Sequence, residues 1–242
     1  MRYAGDLFAA FGEQLREQQL AANRSQPIGA GGNAVVYASD VPGNVMKQST
    51  NRLNSMEDEA NFQAIAADMG LAPRIAGVET FRGHIGDRIE MQDISENFEP
   101  RSGRNGFPAG MDAVRVNQQL GQLALKGIDL EDRHVGNVRY NKMTGRPLQL
   151  DFGIASKVSG ENQVDALARA TEAGLNAAGL TEEASIYTAT VYDLLAGGQV
   201  KEAMDVAKQG FAQLQKIRSP ISDKRIPSAR TILAEQALAE FD

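Results

Sequence analysis

The chain has 242 residues, 42% of them apolar and 23% charged, with a net charge of −6, no cysteine and two histidines. That length holds one large domain or two lobes around a cleft. The acidic balance argues against a nucleic-acid binder, the lack of cysteine removes disulfides, thiolate metal sites and cysteine nucleophiles, and two histidines nearly exclude a multi-histidine zinc site.

Residues 7–22 carry Leu7, Phe8, Phe11 and Leu15 at helical spacing, so residues 1–25 are expected to form an N-terminal packing helix. Met1-Arg2-Tyr3-Ala4-Gly5-Asp6 lacks the apolar stretch of a cleaved secretion signal. No apolar run approaches the ~18 residues of a membrane span. Next comes Gly29-Ala30-Gly31-Gly32-Asn33-Ala34-Val35-Val36-Tyr37, a glycine-rich turn opening a strand. Gly29, Gly31 and Ala34 fit G-x-G-x-x-[G/A], and such a turn, with Gly32 also in it, lets backbone N–H groups approach phosphates. A dinucleotide-binding reading fails, because β-branched residues follow instead of an opening helix.

Residues 34–38 and 45–48 flank Val41-Pro42-Gly43-Asn44, which reads as strand, turn, strand. The second strand carries Lys47 among apolar residues, where an unpaired ammonium is costly. Ser55-Met56-Glu57-Asp58 opens a helix with an S-x-x-D cap. Phe62, Ile65, Ala66 and Met69 mark its expected apolar face, which Glu59 shares and Glu57 does not. Gly70 ends that helix, residues 75–81 and 88–94 are expected strands, and 95–110 is an expected loop. Ala113, Val116, Leu120, Leu123 and Ala124 form a helical stripe stopped by Gly127.

Leu130-Glu131-Asp132-Arg133-His134-Val135-Gly136-Asn137 follows, then an expected hairpin of residues 138–140 and 147–150 that delivers Asp151-Phe152-Gly153 at a strand end. A carboxylate able to take a proton, an amide oxygen and a second carboxylate beside a glycine are the groups that phosphoryl transfer from a metal nucleotide needs. Beyond Gly153, helices are expected at 164–178, at 181–196 under a Thr181 cap, at 200–217 and at 229–241. Residues 208–230 are rich in basic side chains, which suits either a solvated surface or an acidic partner.

In order, the glycine turn, Lys47, Glu59, Asp-x-x-x-x-Asn and Asp-Phe-Gly resemble the protein-kinase superfamily over residues 26–158. The resemblance implies an α+β, bilobal, protein-kinase-like fold. A small antiparallel N-lobe sheet with helix C would occupy 26–94, and a reduced, mainly helical C-lobe 95–242. It implies ATP and Mg²⁺ as cofactors. Val36 would roof the purine, Lys47 would clamp the phosphates and pair with Glu59, Met91 would be the gatekeeper, and Gln92, Asp93 and Ile94 would offer hinge backbone. Asp132 would take the acceptor proton, and Asn137 and Asp151 would hold the metal. The sequence departs from the common pattern in having Leu130-Glu131 before the aspartate, no Ala-Pro-Glu and no long activation segment. Asp-x-His-x-Gly-Asn is similar to aminoglycoside- and choline-type phosphotransferases, which implies that His134 hydrogen-bonds the γ-phosphate or the Asp132 carboxylate, with a structural role as the other reading. Compact Ser/Thr kinases of the bacterial and phage effector type are the first expectation, with a protein substrate and no nucleic-acid partner. A small-molecule phosphotransferase and a nucleotide-binding pseudokinase are the alternatives. The location expected is cytoplasmic, or a host cell reached without a cleaved signal.

Overall fold

The computed structural model describes residues 26–30, 34–50, 55–81, 86–131 and 134–218. Over these the fold is α+β and divides into two units. The first is Met1–Phe98 with Leu148–Ile154, and the second is Glu99–Pro147 with Ala155–Asp242. Among the described residues, no helix is long and apolar enough to cross a membrane. The helices expected at 7–22 and 229–241 lie outside the described residues, as does most of the basic stretch.

The first unit is built on an antiparallel sheet of β1 (Gly29–Ala30), β2 (Ala34–Ala38), β3 (Asn44–Ser49), β4 (Ile75–Glu79) and β5 (Arg88–Gln92), in the order β1-β2-β3-β5-β4. The turn between β2 and β3 closes with the Asn44 N–H donating to the Val41 carbonyl at 3.1 Å, and Gly43 supplies the positive φ of 82° that it requires. Val36 lies opposite Lys47, and Lys47 opposite Ile89. Side chains alternate between faces along a strand, so Ala34, Val36, Val45, Lys47, Ile89 and Met91 share one face. Ala34, Ile89 and Met91 are buried there with Met56 and Ala60 of helix α1 (Met56–Asp68).

Helix α1 starts as its sequence predicts, with the Ser55 side chain accepting from the Asp58 N–H. Its buried face is the expected one only in part, at Glu59 and Ala66. Met56, Glu59, Ala60, Gln63 and Ala66 line it, while Ile65 is 42% exposed. Gln63 lies inward with its Nε2 donating to the Pro73 carbonyl at 3.0 Å and approaching the Met91 sulfur at 3.5 Å, while its Oε1 has no hydrogen-bond partner among the described residues. Strands β4 and β5 are also shorter than the expected 75–81 and 88–94.

The polypeptide enters the second unit within β6 (Phe98–Glu99) and continues through α2 (Gly110–Leu125), β7 (Ile128–Asp129), a 3₁₀ turn (Val135–Asn137) and β8 (Val138–Asn141). Asn141 Oδ1 accepts from the Met143 and Thr144 N–H groups, which turns the backbone toward β9 (Pro147–Gln149). β10 (Ser156–Lys157) pairs antiparallel with β7. Helices α3 (Gly160–Ala177), α4 (Thr181–Ala196) and α5 (Val200–Lys216) follow. Thr181 is the first helical residue rather than the cap, which is Leu180 without a side-chain bond, and α3 begins four residues before the expected Val164.

Val114, Val164, Leu167, Leu175, Val191, Phe211 and Leu214 make the core of this unit. Glycines set how closely its helices approach. A Cβ on Gly121 would lie 2.1 Å from the Phe211 ring, and one on Gly174 2.6 Å from Leu214.

Candidate active site

Lys47 is a buried charge in the first unit. It lies on the buried face of β3, with its side chain 11% exposed. Its Nζ donates to Glu59 Oε1 and, at 3.0 Å, to Asp151 Oδ1. Glu59 comes from the first buried turn of α1, with its side chain 4% exposed, and also accepts from the Phe152 backbone N–H. Asp151 follows β9, whose Gln149 N–H donates to the Leu71 carbonyl at 2.8 Å just past the end of α1. Phe152 is buried. The Gly153 N–H donates to Asp151 Oδ1 at 3.1 Å. Three segments far apart in sequence therefore meet at one ammonium.

The electrostatics follow. Burial alone would lower the Lys47 pKa, but Glu59 and Asp151 outweigh it and raise it above the ordinary value, so the ammonium stays charged. Burial alone would raise Asp151, but Lys47 and the Gly153 N–H hold its carboxyl below the usual carboxylate range. Burial pushes the Glu59 carboxyl up against the pull of Lys47. The Asp151 side chain is 43% exposed, so the cluster has one solvent-facing carboxylate beside a fixed cation.

Among the expected nucleotide-binding residues, Gly29 pairs with Val36. A Cβ on Gly29 would make only ordinary contact with Val36. Ala34 lies in the core beneath the sheet, and Val36 is half-buried opposite Lys47. Met91 is buried in β5. The Gln92 N–H donates to the Arg74 carbonyl at 2.9 Å and the Asp93 N–H to the Gly43 carbonyl at 2.8 Å. Those two donors are thus used within the unit. The Ile94 carbonyl accepts from the Asn97 and Phe98 N–H groups. Gly31, Gly32 and Asp132 lie outside the described residues.

In the second unit, His134 caps the 3₁₀ turn, its Nδ1 accepting from the Gly136 N–H at 3.0 Å. This gives His134 a structural task. The Asn137 N–H donates to the His134 carbonyl at 2.9 Å. A two-residue hairpin supports this stretch. Asn105 and Gly106, with φ of 53° and 81°, let Arg104 and Phe107 pair, and the Gly106 carbonyl accepts from the Val135 N–H at 2.9 Å.

Asp151 in the first unit and Asn137 in the second each carry a hard oxygen of the kind that suits Mg²⁺. Asp151 fits that use because Lys47 and Gly153 engage only Oδ1. Among the described residues, no group of three or more His, Cys, Asp or Glu could hold a metal alone, so an ion at Asp151 would draw further oxygens from a phosphate ligand.

One cluster was not foreseen. Arg169 of α3 bonds Asp129 and Asp165, and Tyr192 of α4 bonds Asp165. The Asp165/Arg169 spacing of four is a helical ion-pair signal, whereas nothing local marks Asp129 as their partner.

The small antiparallel sheet, the helix bearing Glu59 and the mainly helical second unit make an α+β fold, and the Lys47–Glu59 pair is the one that the sequence resemblance implies. No family model matches the sequence, and no curated protein matches it. Among solved structures the protein is similar to the kinase PK-1 of Cydia pomonella granulovirus, with 11% identity covering 69% of this chain and 74% of that one, at a TM-score of 0.44. It is also similar to a double mutant of the Mycobacterium tuberculosis PknI kinase domain, with 15% identity, 76% and 94% covered, and a TM-score of 0.43. A third likeness is to WbdD in complex with a kinase inhibitor, with 12% identity, 86% and 49% covered, and a TM-score of 0.41.

Proposed function

We propose that the protein transfers the terminal phosphoryl group of ATP, with Mg²⁺, to a serine or threonine hydroxyl of another protein. The observation that carries this reading is the Lys47 ammonium, buried, kept charged and bonded at once to Glu59 and Asp151. A cation fixed at two points cannot swing away, so it can meet phosphate oxygens without reorganising.

In the reaction, the acceptor oxygen bonds to the γ-phosphorus and the bond to the β,γ-bridging oxygen breaks, releasing ADP. The hydroxyl proton passes to Asp132. Lys47 holds the non-reacting phosphates, and Glu59 holds Lys47. Asp151 and Asn137 would ligate Mg²⁺, which supplies charge neutralisation on the phosphates when bound. Little bond-making is asked of the protein beyond positioning.

Incubation with labelled ATP and Mg²⁺ tests this, with generic proteins, aminoglycosides and choline-like amines as acceptors. Label on protein, lost by about 10³-fold or more in Asp132→Asn and in Asp151→Asn, is the expected result. Label on a small amine would select the small-molecule reading. ATP binding without transfer would select the pseudokinase.

A further inference from the structure

Asp129 stands three residues before Asp132 in the sequence, and its side chain is 9% exposed. A buried carboxylate is stable as an ion only with a charged partner. Arg169 is that partner, its Nη2 donating to Asp129 Oδ2 at 2.5 Å. The same guanidinium donates from Nε to Asp165 Oδ2 at 2.8 Å. The Tyr192 hydroxyl donates to Asp165 Oδ1 at 2.7 Å.

The backbone adds a second tie, because Asp129 pairs with Ser156 and Ile128 with Lys157. One planar fork thus joins the strand that runs into the Asp132 stretch to α3, and through Asp165 and Tyr192 to α4. Only arginine offers two donors in fixed relative geometry for this. The segment that follows Asp132 is held independently, by the Gly106–Val135 bond and the His134 cap.

We propose that Arg169 is a positioning residue for phosphoryl transfer: acting through Asp129, it fixes the path of the backbone entering the Asp132 stretch. It touches neither nucleotide nor acceptor. The proposal rests on the phosphotransfer reading above for the reaction it serves, and on the second unit alone for the anchor.

The test compares the full-length protein with Arg169→Ala, Arg169→Lys, Asp129→Asn and Tyr192→Phe, by hydrogen exchange and by steady-state kinetics. In Arg169→Ala, amides at 128–131 and 156–157 should exchange about tenfold faster or more, the worth of a charge-assisted hydrogen bond, while those of α2 and α5 keep their protection. The kcat should fall by about tenfold or more, with KM for ATP within about twofold. Arg169→Lys should recover part of both, because one of the two bonds survives. Tyr192→Phe should do little, since it reaches Asp129 only through Asp165 and Arg169. Should Arg169→Ala unfold, Asp129→Asn puts the same question while keeping the shape of the side chain. Unchanged exchange at 128–131 in a protein that does transfer phosphate would overturn the proposal alone. The expected exchange pattern in a wild-type protein that transfers no phosphate to any acceptor would overturn the phosphotransfer reading, and with it the catalytic half of the proposal.

Discussion

Lys47 shares one ammonium between two carboxylates of opposite tendency. Glu59 is buried and raised, and Asp151 is half-exposed and lowered. On acidification Glu59 should therefore take up its proton first. Carbon-13 NMR of the carboxyl groups should give a midpoint above the ordinary 4.5 for Glu59 and below the ordinary 3.8 for Asp151. The lowered Asp151 pKa means that its stabilising contribution is present at neutral pH and lost as pH falls through its folded value. The raised Lys47 pKa means a contribution lost only as pH rises beyond the ordinary 10.5. Coincident midpoints for the two acids would refute this ordering. Removing one member of the buried pair should also be costly. Glu59→Ala is expected to lose about 3 kcal/mol in urea unfolding, whereas Lys47→Met with Glu59→Met should recover most of that. The Lys47–Glu59 pair was legible in the sequence because a strand lysine needs a partner and Glu59 faces inward. The Asp129–Arg169 bond was not, because it spans 40 residues and the one local signal at Arg169 points to Asp165.

At the scale of elements, period and capping signals located most helices and strands, and they failed where a polar side chain is buried. Helix α1 shows why. An apolar count assigns Ile65 inward, but Gln63 goes in and donates to the Pro73 carbonyl. Gln63→Leu should therefore destabilise the first unit by about 1–3 kcal/mol despite its apolar character, leaving that carbonyl without this donor. In the second unit the helices sit close because glycines allow it. Gly121→Ala adds up to about 1 kcal/mol of helix propensity. It also drives a methyl into the Phe211 ring, 2.1 Å from the Cβ position. Overpacking should win, with a net loss of about 1–3 kcal/mol in chemical denaturation. Gly121→Ala with Phe211→Leu should regain part of it. An unaltered midpoint for the single variant would show that α5 moves aside without cost.

At the scale of the molecule, the first unit is not continuous in sequence, because Leu148–Ile154 belongs to it. That short segment brings the Gln149 bond to Leu71, the Asp151 partner of Lys47 and the Phe152 N–H to Glu59. A fragment of residues 1–98 should melt without cooperativity, and joining residues 148–154 to it through a flexible linker should restore a sharp transition in calorimetry. A cooperative transition in the bare fragment would contradict this. The same interruption has a bearing on birth at the ribosome. After residue 98 emerges, about 50 more must be made before the missing piece arrives, a wait of several seconds at roughly 5–20 residues per second. During it the nascent first unit holds a lysine and a glutamate with no third partner, a state open to chaperones. The first unit can close only once residue 154 has been made, so Lys47 gains its second carboxylate partner late in translation.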